Sequence, residues 1–238
     1  MTSKALSLFA DGIVAASGGR VENDVIALYE FKAGTGSVVI DRSGVLPAAD
    51  LILSGDYDWL GAWGIQLRSG KAQATVNDSK KLHDLISATG EFSVEAWVAP
   101  ANVTQDGPAR IVSYSGSDSV RNFTLGQTLY NYDFLSRSSG TDANGEAGLS
   151  TADADEVLQA TLQHVVVTYE PVEGRKIYVN GNLVTDPQDA NNQAGSVLNN
   201  WNDSYAFVLG NEVSGNQQWQ GAIRLVAVHA RALSAQSV

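Results

Sequence analysis

Cysteine is absent from the 238 residues. Its absence excludes disulfide staples, thiol catalysis, zinc–thiolate sites and iron–sulfur clusters. A chain of this length does without staples, because it can bury enough surface to hold a core. Histidine is scarce: His83, His164 and His229 stand far apart, which argues against a histidine-built metal centre. No apolar run approaches the roughly 20 residues of a membrane-spanning helix, so membrane insertion is not expected. Basic residues are in deficit, 15 against 26 acidic, for a net charge of −11. Such a surface repels nucleic acid and anionic membranes and is compatible with cation binding.

What is present reads as β-structure. In "GRKIYVNGNLVTD" (174–186), Ile177 and Val179 fall on one side of an extended chain, and Lys176, Tyr178 and Asn180 on the other. That two-residue period is the mark of a half-buried strand. Asn180 and Gly181 tolerate the positive φ of a type I′ hairpin turn, and Leu183 and Val184 begin the return strand. Similar runs recur at 25–31, 49–55, 64–69, 92–100, 110–115, 122–127, 162–170, 176–181, 205–211 and 222–230. Segments rich in Gly, Asn, Asp and Ser separate them, a pattern that predicts an all-β sandwich or barrel. Helical periodicity is weak: "SKKLHDLI" (79–86) and "TADADEVLQ" (151–159) predict a turn or two each. With 44% hydrophobic residues there is ample material for one large core. The opening "MTSKALSLFADGIVAASGG" places Lys4 before an apolar segment, as a secretory signal does, but Asp11 interrupts it. The expectation is an N-terminal arm over 1–20, then one domain over 21–238. The arm's apolar residues (Leu6, Leu8, Phe9, Ile13 and Val14) suit pairing with a partner or lying along its own sandwich.

An ordered series of segments resembles the laminin-G-like jelly rolls of the concanavalin A-like lectin/glucanase superfamily. It runs from "ALYEFKAGTGSVVIDRSG" (27–44) through "FSVEAWVAP" (92–100) and "LQHVVVTYEPVEGRKIYVNGNLV" (162–184) to "FVLGNE" (207–212) and "WQGAIRLVAVHARALS" (219–234). The resemblance implies an all-β fold of two stacked antiparallel sheets, one concave, with little helix. The ending "RALSAQSV" falls where relatives begin a short helix, which implies a piece of a longer chain or assembly.

Three constellations could carry chemistry, the first two implied by that resemblance and the third read from the residues themselves. Glycosidases of the superfamily place carboxylates at alternate strand positions, so that one acts as nucleophile and one as acid. Here Glu91 and Glu95 have the spacing, but Ser93 stands at the central Asp position. The alternative is a strand start at Glu91 and a hydrogen-bonded polar position at Glu95. Laminin-G-like domains often bind calcium through an Asp in an Asp-x-Ser-Gly turn and a second Asp late in the chain. Asp41 and Ser43 supply the turn as metal candidates, while Arg224 occupies the second position; the alternative is an Asx-type turn without metal. The third set is aromatic and polar: Trp59, Trp63, Trp201 and Trp219, with Asp203, Asn211, Glu212 and Gln217 beside them, suits sugar binding in loops. A role as edge caps of the sandwich competes with it. Trp97 is expected in the core, His164 as a structural histidine, and Arg121 either in an internal ion pair or clamping a carboxylate. Asn77, Asn102, Asn122 and Asn202 open glycosylation sequons, relevant if the protein is secreted.

The leading expectation is a non-catalytic recognition module of a secreted, surface or periplasmic protein, binding glycan or a protein partner through rim loops, with calcium as its candidate cofactor. The alternatives are a structural domain of a larger assembly and a glycosidase relative.

Overall fold

The computed structural model describes Leu6–Phe9, Gly12–Ala15 and residues 24–238. In chain order its strands are β1 (Leu6–Phe9), β2 (Gly12–Ala15), β3 (Val25–Tyr29), β4 (Val38–Val39), β5 (Leu51–Ser54), β6 (Tyr57–Trp59), β7 (Ile65–Leu67), β8 (Lys71–Gln73), β9 (Phe92–Pro100), β10 (Ala109–Ser117), β11 (Val120–Thr128), β12 (Asn131–Ser136), β13 (Leu149–Ser150), β14 (Gln163–Glu170), β15 (Gly174–Val179), β16 (Asn182–Leu183), β17 (Ala206–Leu209) and β18 (Gly221–His229), with one helix, α1 (Val76–Thr89). One sheet has the order β13-β12-β11-β10-β17-β8-β5-β4. The other runs β16-β15-β14-β9-β18-β7-β6, with β3 also on β18. Every pairing in the two sheets is antiparallel. This is the expected two-sheet jelly-roll β-sandwich.

Alternation decides what each strand shows. Along β9, Phe92, Val94, Ala96 and Val98 enter the core between the sheets. Phe92 stacks on Phe123 (ring centroids 5.2 Å) and meets Trp201 edge-on (5.1 Å), the geometries that aromatic quadrupoles favour. Ser93, Glu95 and Trp97 take the opposite face. Trp97 is therefore not a core residue as expected: it is half-buried and stacks on His164 at 4.8 Å. The Asn180–Gly181 turn forms as anticipated, with φ of 51° and 81°. Tyr178 is not on a solvent face, however. It joins Val166 and Leu233 in a small second core, where the C-terminal residues lie over the outer sheet.

Helix α1 is longer than the expected turn or two. Thr75 caps it by accepting the Asp78 N–H (3.1 Å), and Gly90, at φ 75°, donates back to the Ile86 carbonyl (2.8 Å). It buries Ser79, Lys81, Leu82 and Ile86, a stripe at helical spacing. Burial of Leu82 and Ile86 contributes about 1.5–3 kcal/mol each. At 151–159 the chain makes only a 3₁₀ turn, Asp153–Asp155. Absent from the expected strands are the short β4, β6, β8 and β13 and the longer β12, whose Tyr132 and Phe134 face the core while Asn131 and Asp133 alternate with them. Within the expected arm, β1 and β2 pair with each other, Leu6 opposite Ala15 and Phe9 opposite Gly12. The rest of the arm, and the question of a signal peptide, lie outside the described residues.

Candidate functional site

Two connections meet at one rim of the sandwich: the loop after β3 and the β6–β7 hairpin. Phe31 is buried at φ 51°, and its carbonyl accepts the Gly64 N–H (3.0 Å). The hairpin closes on itself through Leu60 N–H to Gly64 O (2.9 Å). Trp59 Nε1 donates to the Gly36 carbonyl (2.8 Å), which fixes the indole against the first loop. Between the two lies a cavity of about 330 Å³, walled by Trp59, Phe31 and Ile40 and carrying Glu30, Lys32 and Arg42. Lys32 donates to Glu30 at 2.6 Å. Trp63, at the hairpin tip, is 45% exposed, and the Arg224 guanidinium lies 5.2 Å from its ring centroid. That is a cation–π contact, and Arg224 also donates to the Trp63 carbonyl. Gly64 makes room for it: at φ 118°, a Cβ there would lie 2.6 Å from Arg224 Cδ.

The four candidate indoles divide evenly. Trp59 and Trp63 share this rim. Trp201 and Trp219 do not reach a loop surface. Trp201 is 8% exposed, packs against Phe92 and Phe123 and donates to the Arg137 carbonyl (2.7 Å). Trp219 is fully buried and donates to Gln127 Oε1 (2.8 Å). The physical reason is long-range: each finds its indole N–H acceptor inside the sandwich, so burial leaves no donor unpaired.

The polar candidates are also dispersed. Asp203 is exposed and pairs with Lys80 of α1 (2.9 Å). Asn211 is buried; its side-chain oxygen accepts the N–H groups of Glu212 (2.8 Å) and Gln217 (3.0 Å), pinning the loop after β17. Glu212 has no exposed surface and accepts from Arg110 Nε (3.2 Å), Ser115 Oγ and Val213 N–H (2.8 Å). Neither Asn211 nor Glu212 presents a group to a loop-bound ligand. Arg121 is internal. It donates to the Asp118 carbonyl (2.6 Å), Thr124 Oγ1 (3.3 Å) and Asn144, and burial, then neighbouring Arg110, pulls its pKa down to about 10.

Asp41 turns inward. Its carboxylate accepts N–H groups from Leu28 (3.1 Å), Ser43 (2.9 Å) and Ala49 (3.1 Å), and the Lys81 ammonium as well. Lys81 also donates to the Val45 carbonyl (2.9 Å), and both charged side chains are almost fully buried. Burial pushes the Asp41 pKa up, but the Lys81 bond and the backbone donors outweigh it and hold the carboxyl below its usual range. Ser43 Oγ is engaged with the Ile26 carbonyl (3.2 Å) and the Val45 N–H (3.3 Å). These residues do not fit a calcium ion, because an ammonium stands on the carboxylate and the atoms around it are mostly donors. Arg224, at the second family position, bonds Trp63 and not Asp41. Among the described residues no group of three His, Asp or Glu could hold a metal.

The glycosidase-like positions serve the C-terminal residues. Glu91 accepts the Ala232 N–H (3.2 Å). Ser93 Oγ donates to the Arg231 carbonyl (2.8 Å) and accepts the Leu233 N–H (2.8 Å). Glu95 lies 3.2 Å from His164 Nε2 and 3.6 Å from His229 Nε2. Burial pushes its pKa up, but hydrogen bonds from the two histidines outweigh that and hold it at about 2. A carboxyl held that low is ionised near neutral pH and is poorly suited to act as a general acid there.

The lining residues Lys32, Ile40 and Arg42 were not among the sequence candidates. One signal was available: Arg42 is the variable residue of the Asp-x-Ser-Gly turn, next to an inward Asp41.

No curated protein matches the chain. Solved structures do match in fold. The binding domain of botulinum neurotoxin serotype D/C superposes with a TM-score of 0.60 at 16% identity, covering 91% of this chain and 51% of that one. The neurotoxin DC binding domain in complex with rat synaptotagmin II gives 0.62 at 16%, covering 91% and 50%. A neurotoxin type C structure, described as depending on two ganglioside molecules for cell entry, gives 0.62 at 17% with the same coverage. The chain thus spans about half the length of these binding domains. Among the described residues no helix is long and apolar enough to cross a membrane. The family model Laminin_G_3 matches residues 69–238, most of the chain, and includes β9, β14, β15 and β18 that frame the fold; the protein belongs to this family of the concanavalin A-like lectin/glucanases superfamily.

Proposed function

We propose that this protein is a non-catalytic recognition module that binds glycan at the Trp59–Trp63 rim, outside the cytoplasm or at a surface. The observation that carries the reading is the 330 Å³ cavity with an indole held rigid at its wall. Its volume lies at the small end of ligand sites, which run from roughly 300 Å³ upward. A flat aromatic face matches the C–H side of a pyranose, and the Glu30–Lys32 pair offers an acceptor and donors for hydroxyls. The engagement of Glu91, Ser93 and Glu95 with the C-terminal residues and two histidines supports binding without hydrolysis. Calcium has no part in this proposal, since Lys81 supplies the positive charge at Asp41. That the toxin neighbours include a ganglioside-dependent binder and a synaptotagmin complex is compatible with a binding role.

A glycan array run with calcium and with chelator tests it. The expected result is selective signal in both conditions, lost in Trp59→Ala with the fold intact. A blank array would favour a protein partner instead, for which Val38 and Ile52, paired across β4–β5 and 39% and 51% exposed, give an apolar surface.

A further inference from the structure

We infer that the Trp59 cavity takes a sugar bearing a carboxylate, with Arg42 as the partner of that acid group. The inference rests on the glycan reading above and names its ligand class. Asp41 faces inward, held by three backbone N–H groups and Lys81. Its neighbour Arg42 is exposed and lines the cavity, in a turn that this anchoring keeps in place.

Arg42 differs from the other described arginines in one respect. Arg68 and Arg231 pair with Asp56, Asp58 and Asp24. Arg110 and Arg121 are buried in hydrogen bonds, as is Arg175, and Arg137 and Arg224 donate to Tyr205 and Trp63. Arg42's guanidinium has no hydrogen bond or ion pair among the described residues, in a chain with 26 acidic residues available to neutralise it. Lys32, the other cation of the cavity, is already paired with Glu30. An unneutralised guanidinium beside an indole wall therefore offers two contacts at once: a planar fork for a carboxylate and a face for the ring that carries it. A volume of about 330 Å³ suits one ring rather than an extended peptide.

Titration calorimetry of the purified chain with glucuronic acid, glucose, glucose 6-sulfate and an acetylated glutamate-rich peptide tests the assignment. Glucuronic acid is expected to bind about ten- to a hundredfold tighter than glucose, the worth of one charge-assisted hydrogen-bonded contact. Arg42→Gln should erase that preference and leave the melting temperature unchanged, because Arg42 has no internal partner to lose. Arg68→Gln, a charge removal away from the cavity, should leave the preference intact. Equal binding of glucose and glucuronic acid, unchanged by Arg42→Gln, would overturn the acidic-sugar assignment while the glycan reading stood. Tighter binding of the sulfated sugar would overturn the carboxylate. Binding of the peptide alone, or of nothing, would overturn both.

Discussion

Two pairs of tryptophans, read as equivalent in the sequence, do opposite work in the fold. Trp201 and Trp219 fill the space between the sheets, and each indole N–H finds a fixed internal acceptor. Trp59 is tied to a loop carbonyl and keeps part of its ring at a cavity, and Trp63 stands exposed under Arg224. Residue type and a loop-like neighbourhood are shared by all four. What separates them is whether the ring is packed between the sheets or left at a loop, and that depends on segments distant in the chain.

Substitution should separate the pairs by size of effect. Trp219→Ala removes the largest fully buried side chain and one of the two donors to Gln127 Oε1, the other being Gln105 Nε2 (3.0 Å). It should cost about 3–5 kcal/mol in urea unfolding, enough to threaten folding of a domain of ordinary stability. Lys81→Met tests the other buried anchor, because it strands the Asp41 carboxylate. A loss of about 3–5 kcal/mol is expected, and a metal-independent site predicts no recovery on adding calcium. A full recovery by calcium would show that the turn holds the metal after all.

Glu95→Gln should cost less, about 1–3 kcal/mol. It also has a pH signature. The folded pKa of about 2 lies below the ordinary glutamate value of 4.5, so the stability it contributes is present above about 4.5 and is lost as the pH falls toward 2. Melting curves across that window should fall more steeply for the native chain than for Glu95→Gln. Trp63→Ala should be mildest, about 0.5–1 kcal/mol from the exposed cation–π contact. A large destabilisation by Trp63→Ala, or none by Trp219→Ala, would break the division between rim and core.

The scaffold was legible in the sequence to a useful depth. The run Phe92–Pro100 forms β9 over the expected residues, and the Asn180–Gly181 turn closes its hairpin as read. Where the reading fell short, strand alternation or a distant partner decided. Trp97 sits on an outer face because its alternation partners Ala96 and Val98 take the core. Tyr178 is covered because Leu233, 55 positions later by number, lies over it (233 − 178 = 55). Asn211 and Glu212 looked like loop polar groups, yet buried Arg110 and Ser115 turn Glu212 inward.

By itself the sequence determined the period-two strands, the turns between them, the acidic surface and the exclusion of thiol chemistry. Those follow from local conformation and composition, which need no knowledge of neighbours. Only the tertiary structure decided that a lysine from α1 meets Asp41, that two indoles are core and two are rim, and that Arg42 faces a cavity unpaired. Burial and charge pairing depend on which distant segments are brought within a few ångströms, and no local pattern encodes that distance.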